Sequence, residues 1–176
     1  MVADHSKTLR GALAGALAAG VWAAQMPADK RVFGSRFDDV ELLGKAVTRG
    51  RSWQAIGWAL HLQNGALFGA AYANLSPRLP LPSWARGPAL ALAENFASWP
   101  LTALVDRAHP AREELPSTFT SARALMQSTW RHLLFGVILG ELERTLNNQD
   151  AAELPSYEHV ISSNGHGKLE HAAPIG

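Results

Sequence analysis

The sequence predicts an all-α fold: an integral membrane four-helix bundle built from two tandem helical hairpins. Three observations lead there. Residues 11 to 28 and 52 to 77 contain no Asp, Glu, Lys or Arg, and residues 87 to 105 contain only Glu94. A surface helix normally carries a charged face, and these lengths suit a hydrocarbon layer that takes about 20 residues per crossing. Gly57, His61, Gly65 and Gly69 recur every four residues, and Ser128, His132, Gly136 and Gly140 repeat the spacing. On a helix such positions form one stripe of small residues around a histidine. Two of the seven histidines have glycine at both +4 and +8, far above the chance rate for 15 glycines in 176 residues, and this argues for an internal duplication.

The elements follow in chain order. A first helix is expected over Thr8 to Met26, with Gly11 and Gly15 as a small-xxx-small packing element. Pro27 closes it, because proline has no N–H and disfavours helical geometry in the residue before it. The polar stretch from 28 to 51 leaves room for a short interfacial helix around Asp38 to Val47. A second long helix spans Ser52 to Leu75, with Ser52 as its N-cap. Pro77, Pro80 and Pro82 enforce a non-helical link to a third helix over Arg86 to Val105, which Pro100 kinks or interrupts. Thr120 or Ser121 caps a fourth helix ending near residue 146, whose apolar stretch is only Leu133 to Gly140. The hairpins thus cover 8 to 75 and 84 to 146, inside a membrane domain of residues 1 to 146. Residues 147 to 176 are polar, without helical periodicity, and read as a disordered tail.

Superposing His61 on His132 aligns Leu62 with Leu133, Gly65 with Gly136 and Gly69 with Gly140. The preceding helices align Pro27 with Pro100. Each half reads as helix, proline, polar loop, then a helix bearing His-x-x-x-Gly-x-x-x-Gly. Two such hairpins would be related by a pseudo-two-fold axis along the membrane normal, with the second and fourth helices meeting through their His/Gly stripes.

Composition removes several function classes. With 16 basic and 15 acidic residues and no dense basic tract, nucleic acid is not an expected partner. The absence of cysteine removes disulfides, thiolate metal sites and a cysteine nucleophile. There is no Gly-x-Ser-x-Gly elbow and no glycine-rich phosphate loop after a predicted strand, so hydrolase and nucleotide-binding readings fail. Lys7 and Arg10 precede the first apolar stretch, but Gln25, Met26 and Pro27 make no small-x-small cleavage site, and the segment reads as retained.

The segment Trp58-Ala-Leu-His61-Leu-Gln-Asn-Gly65-Ala-Leu-Phe-Gly69-Ala-Ala-Tyr72 resembles the H-x-x-x-G-x-x-x-G-x-x-Y core of small uncharacterised bacterial four-helix inner membrane proteins, including the YagU-like group. The opening Gly-Ala-Leu-Ala-Gly helix leading to Met26 and Pro27 is similar to theirs. The resemblance covers about half the chain and implies a multi-pass place in the bacterial inner (plasma) membrane and a link to acid resistance. It transfers no catalytic or binding residue, and Arg131 beside His132 departs from the pattern.

The residues that could carry chemistry form a candidate polar seam of His61, His132, Glu94, Arg131 and Asn64. Two facing imidazoles could ligate a divalent metal or haem iron, or relay protons. The plainer alternative has each imidazole hydrogen-bonded to a neighbouring helix, and no cofactor. An ionised Glu94 at helix depth needs a partner, and Arg131 is the expected one. Gly11, Gly15, Gly57, Gly65, Gly69, Ser128, Gly136 and Gly140 are expected to pack helices. No catalytic residue is indicated. The leading functional expectation is a non-enzymatic structural or interaction component, or stress-adaptation factor, in contact with the lipid bilayer and with other membrane subunits. The alternatives are a metal-binding, haem-binding or proton-relay protein built on the paired histidines, and a soluble all-α binding domain.

Overall fold

The computed structural model describes residues 5–153, with side chains as far as residue 147, and the fold over that range is all-α. The rest of the tail expected to be disordered lies outside the described residues. Helix α1, His5–Phe33, runs straight through Pro27 rather than ending there. A proline inside a helix forfeits one hydrogen bond and crowds the carbonyl four residues back. Here continuation places Met26 and Asp29 on the same buried face as Ala19 and Trp22, where Asp29 meets a cation. Gly34, with φ +60°, then stops the helix in the left-handed conformation that glycine tolerates.

Helix α2, Asp39–Val47, starts at Asp38, whose carboxylate accepts the Glu41 N–H at 2.9 Å. Helix α3, Trp53–Leu75, follows; Ser52 occupies the N-cap position but makes no side-chain capping bond. After a 3-10 turn at Ser76–Arg78 comes α4, Ser83–Ser98. The expected continuous third helix is broken at Pro100 by a 3-10 turn, Trp99–Leu101, and the chain resumes as α5, Thr102–Ala108. Helix α6, Ala122–Glu153, is capped by Ser121 Oγ, which accepts the Ala124 N–H at 3.2 Å, and continues past the end expected at 146.

The four long helices pack antiparallel in the order α3, α1, α6, α4. Helices α1 and α3 approach backbone to backbone: a Cβ on Gly15 would collide with the Gly65 carbonyl, and one on Gly69 with that of Gly11. The same occurs between α4 and α6, where Gly87 lies against the Gly136 carbonyl, and between α2 and α3, where Gly57 lies against the Val40 carbonyl. Each glycine stripe therefore packs within its own hairpin. The expected meeting of the second and fourth helices through their stripes does not occur, since α3 and α6 scarcely touch. The reason is geometric: the Gly11/Gly15 surface of α1 fits the Gly65/Gly69 surface of α3 more closely than two histidine-bearing stripes could fit each other.

The multi-pass inner-membrane placement is overturned. Among the described residues no helix is long and apolar enough to cross a membrane. Freedom from charge is not apolarity: the uncharged stretches are rich in Gly and Ala, which bury little apolar surface, and α3 carries His61, Gln63, Asn64 and Asn74. Helix α4 has 16 residues, about 24 Å at 1.5 Å per residue, short of a hydrocarbon layer of about 30 Å. Large apolar side chains do lie exposed along α1 at Leu9, Leu13, Leu17 and Val21, and along α6 at Met126, Trp130, Leu133 and Val137. Trp22 is buried in the core.

Candidate functional site

Arg131 and His132 are adjacent on α6 and so point about 100° apart around the helix. Arg131 turns toward the α1 and α2 side and is fully buried, with 0% of its surface exposed. Its guanidinium grips Asp29 with two parallel bonds, Nε to Oδ2 at 2.6 Å and Nη2 to Oδ1 at 2.7 Å. Nη1 donates to Asp39 Oδ2 at 2.7 Å, and Nη2 also reaches the Phe37 carbonyl at 3.1 Å. Gln25 and Gln127 donate to Asp29, and the Trp22 indole N–H donates to Asp39 at 3.1 Å. Burial alone would raise the Asp29 carboxyl, but the hydrogen bonds from Arg131, Gln127 and Gln25 outweigh it and hold the group below its ordinary value. Arg131 is raised despite its burial, through Asp29 and Asp39. The expected Glu94 to Arg131 pair is therefore corrected. Asp29 and Asp39 take the guanidinium because α1 continues beyond Pro27 and lies on the Arg131 side of α6.

Glu94 pairs instead with His132, whose Nε2 lies 2.9 Å from Glu94 Oε2. The other ring nitrogen, Nδ1, donates to the Ser128 carbonyl at 2.8 Å, because that oxygen can only accept. The hydrogen bond from His132 holds Glu94 below its ordinary carboxylate value against the opposing effect of burial. Ser128 Oγ donates to Asn95 Oδ1 at 2.7 Å, and Asn95 Nδ2 reaches Thr129 Oγ1 at 3.2 Å, tying α4 to α6. Ser128, His132 and Glu94 run in line like a hydrolytic triad, but the bond directions oppose it. Nδ1 faces a carbonyl and Oγ donates elsewhere, so the imidazole is not placed to take the serine proton.

His61 projects from α3 toward α1 and its Nε2 lies 3.1 Å from the Ala19 carbonyl, which makes it the donor. Burial pushes its pKa down, so the ring is neutral at pH 7. Both imidazoles stand edge-on to Trp22, with ring centres at 5.4 Å for His61 and 4.6 Å for His132. Their hydrogen bonds run to different partners. The Nε2 of each is engaged, so the pair is not disposed to share a metal or to offer an axial haem ligand. Among the described residues no group of three or more His, Asp or Glu is placed to hold a metal ion.

These side chains surround a cavity of about 480 Å³. Its back wall is Trp22 of α1 with His132 and Phe135 of α6, and its sides are α3 at His61, Asn64 and Phe68 and α4 at Glu94, Asn95 and Ser98. Helices α3 and α4 are not packed on each other, and the cavity lies between them. Leu67 and Leu101 at its rim are exposed. Of the seam expected from sequence, His61, His132, Glu94 and Asn64 line this cavity, whereas Arg131 lies outside its lining. The residues that sequence reasoning missed are Asp29, Asp39, Trp22, Asn95 and Gln127. Asp29 was hidden by ending the first helix at Pro27, although it continues the spacing Gly15, Ala18, Trp22, Met26 of the buried face.

No protein-family model, curated protein or solved structure matches this chain.

Proposed function

We propose that this chain is a non-enzymatic, all-α binding protein that holds a small molecule between its two hairpins. The observation that supports it is the cavity between α3 and α4. At about 480 Å³ it falls within the range of roughly 300 to 1,000 Å³ usual for ligand sites. Apolar and aromatic side chains make most of its surface, and a few polar groups converge there: the Glu94 and His132 pair, His61, Asn64 and Asn95. Glu94, His132, His61 and Asn95 are fixed by hydrogen bonds to α1, α4 and α6, so that part of the site is formed before anything enters it. Hydrogen-bond directions that disfavour nucleophile activation favour binding over turnover.

The test uses Nile red, a neutral apolar dye, with energy transfer from the cavity tryptophans Trp22 and Trp99 as the readout. The purified protein should bind one equivalent saturably. Ser98→Trp, which places an indole in the cavity, should abolish that binding while the helical circular-dichroism spectrum is retained. Saturable binding that Ser98→Trp leaves untouched would place the dye on the exposed apolar stripes and overturn the reading.

A further inference from the structure

Resting on that reading of the cavity, we infer that its ligand is an organic cation: a protonated amine or quaternary ammonium carried on an apolar body. Two independent features of the lining point the same way. The first is charge. Asp39 and Glu94 both line the cavity, and among the described residues no lysine or arginine does. The guanidinium beside it, Arg131, is already shared between Asp29 and Asp39, and His132 Nε2 is engaged by Glu94. Three carboxylates thus stand around one guanidinium, and His61 adds no charge because burial keeps it neutral. Negative charge is therefore in surplus around an apolar cavity. An anionic ligand would meet that surplus without an arginine or lysine to receive it, whereas a cation would neutralise it.

The second feature is the walls. Trp22, Phe37, Phe68, Trp99 and Phe135 line the same cavity, with Phe68 and Phe135 edge to face at 5.4 Å. Aromatic faces attract cations through the ring quadrupole, most strongly where water is displaced, and a ring of them around a carboxylate is the arrangement that recognises ammonium groups. The Glu94 side chain is 45% exposed at the cavity while one of its oxygens is held by His132, so the carboxylate is oriented yet reachable. Asn64, Asn95 and Ser98 supply neutral hydrogen-bond partners near it. The apolar remainder of the ligand would lie along Leu42, Leu43 and Val105.

Calorimetric titration of the full chain with three probes of similar size tests this: benzyltrimethylammonium, its neutral carbon isostere neopentylbenzene, and the anion phenylacetate. The cation should bind about tenfold tighter than the isostere, the size expected of a desolvated cation on aromatic faces. Glu94→Gln should remove most of that preference while leaving neopentylbenzene binding unchanged, and Glu94→Asp should keep part of it. Equal affinity for cation and isostere, a preference for phenylacetate, or a preference that survives Glu94→Gln would each overturn the inference while leaving a cavity that binds. Binding of none of the three, together with no Nile red binding, would overturn the binding reading itself.

Discussion

The repeated His/Gly frame sets two seams in corresponding places, α1 against α6 and α4 against α3, and only one of them is closed. The closed seam holds Asp29 and Gln25 from α1 against Arg131 and Gln127 from α6. Aligning Pro27 with Pro100 and His61 with His132 puts Thr102 and Ser98 opposite Leu60 and Ile56 at the corresponding places of the other seam. No charge pair can form there, α4 breaks at Pro100 where α1 continued through Pro27, and the cavity opens instead. One frame, used twice, therefore makes a joint in one place and a candidate binding site in the other. The histidines differ in the same way. His61 faces a carbonyl on α1 and is buried and neutral, whereas His132 faces a carboxylate on α4 and pairs with it. The motif sets where an imidazole stands; the neighbouring helix decides what it does.

Breaking the closed seam should have the largest effect. Arg131→Ala leaves Asp29 buried without its cation and should cost about 3 to 5 kcal/mol, read as a lower urea midpoint. The paired change Arg131→Met with Asp29→Leu should recover most of that, because apolar side chains of similar size remove both desolvated charges. A loss below about 1 kcal/mol for Arg131→Ala, the range of a surface pair, would mean that the seam is not held by its ions.

Glycine substitutions compare the packing within the two hairpins. Gly15→Ala and Gly87→Ala each drive a methyl into a carbonyl of the facing helix and should each cost about 1 to 3 kcal/mol. Gly140→Ala meets its nearest neighbour, Tyr72 Oη, at 3.4 Å, and should be neutral or gain up to about 1 kcal/mol from better helix propensity. Three equal losses in thermal unfolding would show that close backbone approach is not what the stripe achieves.

The smallest effects separate the histidines by pH. His61 is lowered by burial, so the unfolded chain takes up a proton near the ordinary value of 6.5 that the folded chain refuses. Stability should therefore fall as pH drops through and below 6.5, and His61→Gln should flatten that slope. Glu94 is lowered by its bond from His132, so its contribution is present above the ordinary 4.5 and disappears as pH falls below it through the folded value. Being half-exposed, it should contribute less than about 1 kcal/mol. Glu94→Gln should remove the loss of stability in that lower window, and an unchanged slope below pH 4.5 would contradict the assignment of roles.

Helix positions were largely legible in the sequence, because Gly/Ala spacing, the Asp38 and Ser121 caps and the interruption at Pro100 are local signals. The glycines that pack helices were legible for the same reason, since a stripe of small residues declares that something must approach closely. Which surface approaches was not. The Gly57 to Gly69 stripe could face α6 or fold back on α1 and α2, and complementarity between two backbones decided it. The course of α1 beyond Pro27 was likewise decided from outside the helix, by the buried face that Met26 and Asp29 complete and by the Arg131 guanidinium that Asp29 receives. The sequence by itself determined a duplicated helical frame with a histidine at the same place in each half. Only the tertiary structure decided that Arg131 belongs to Asp29, that Glu94 belongs to His132, and that one of two equivalent seams stays open. Those choices depend on contacts more than 30 positions apart along the chain, where local spacing carries no information.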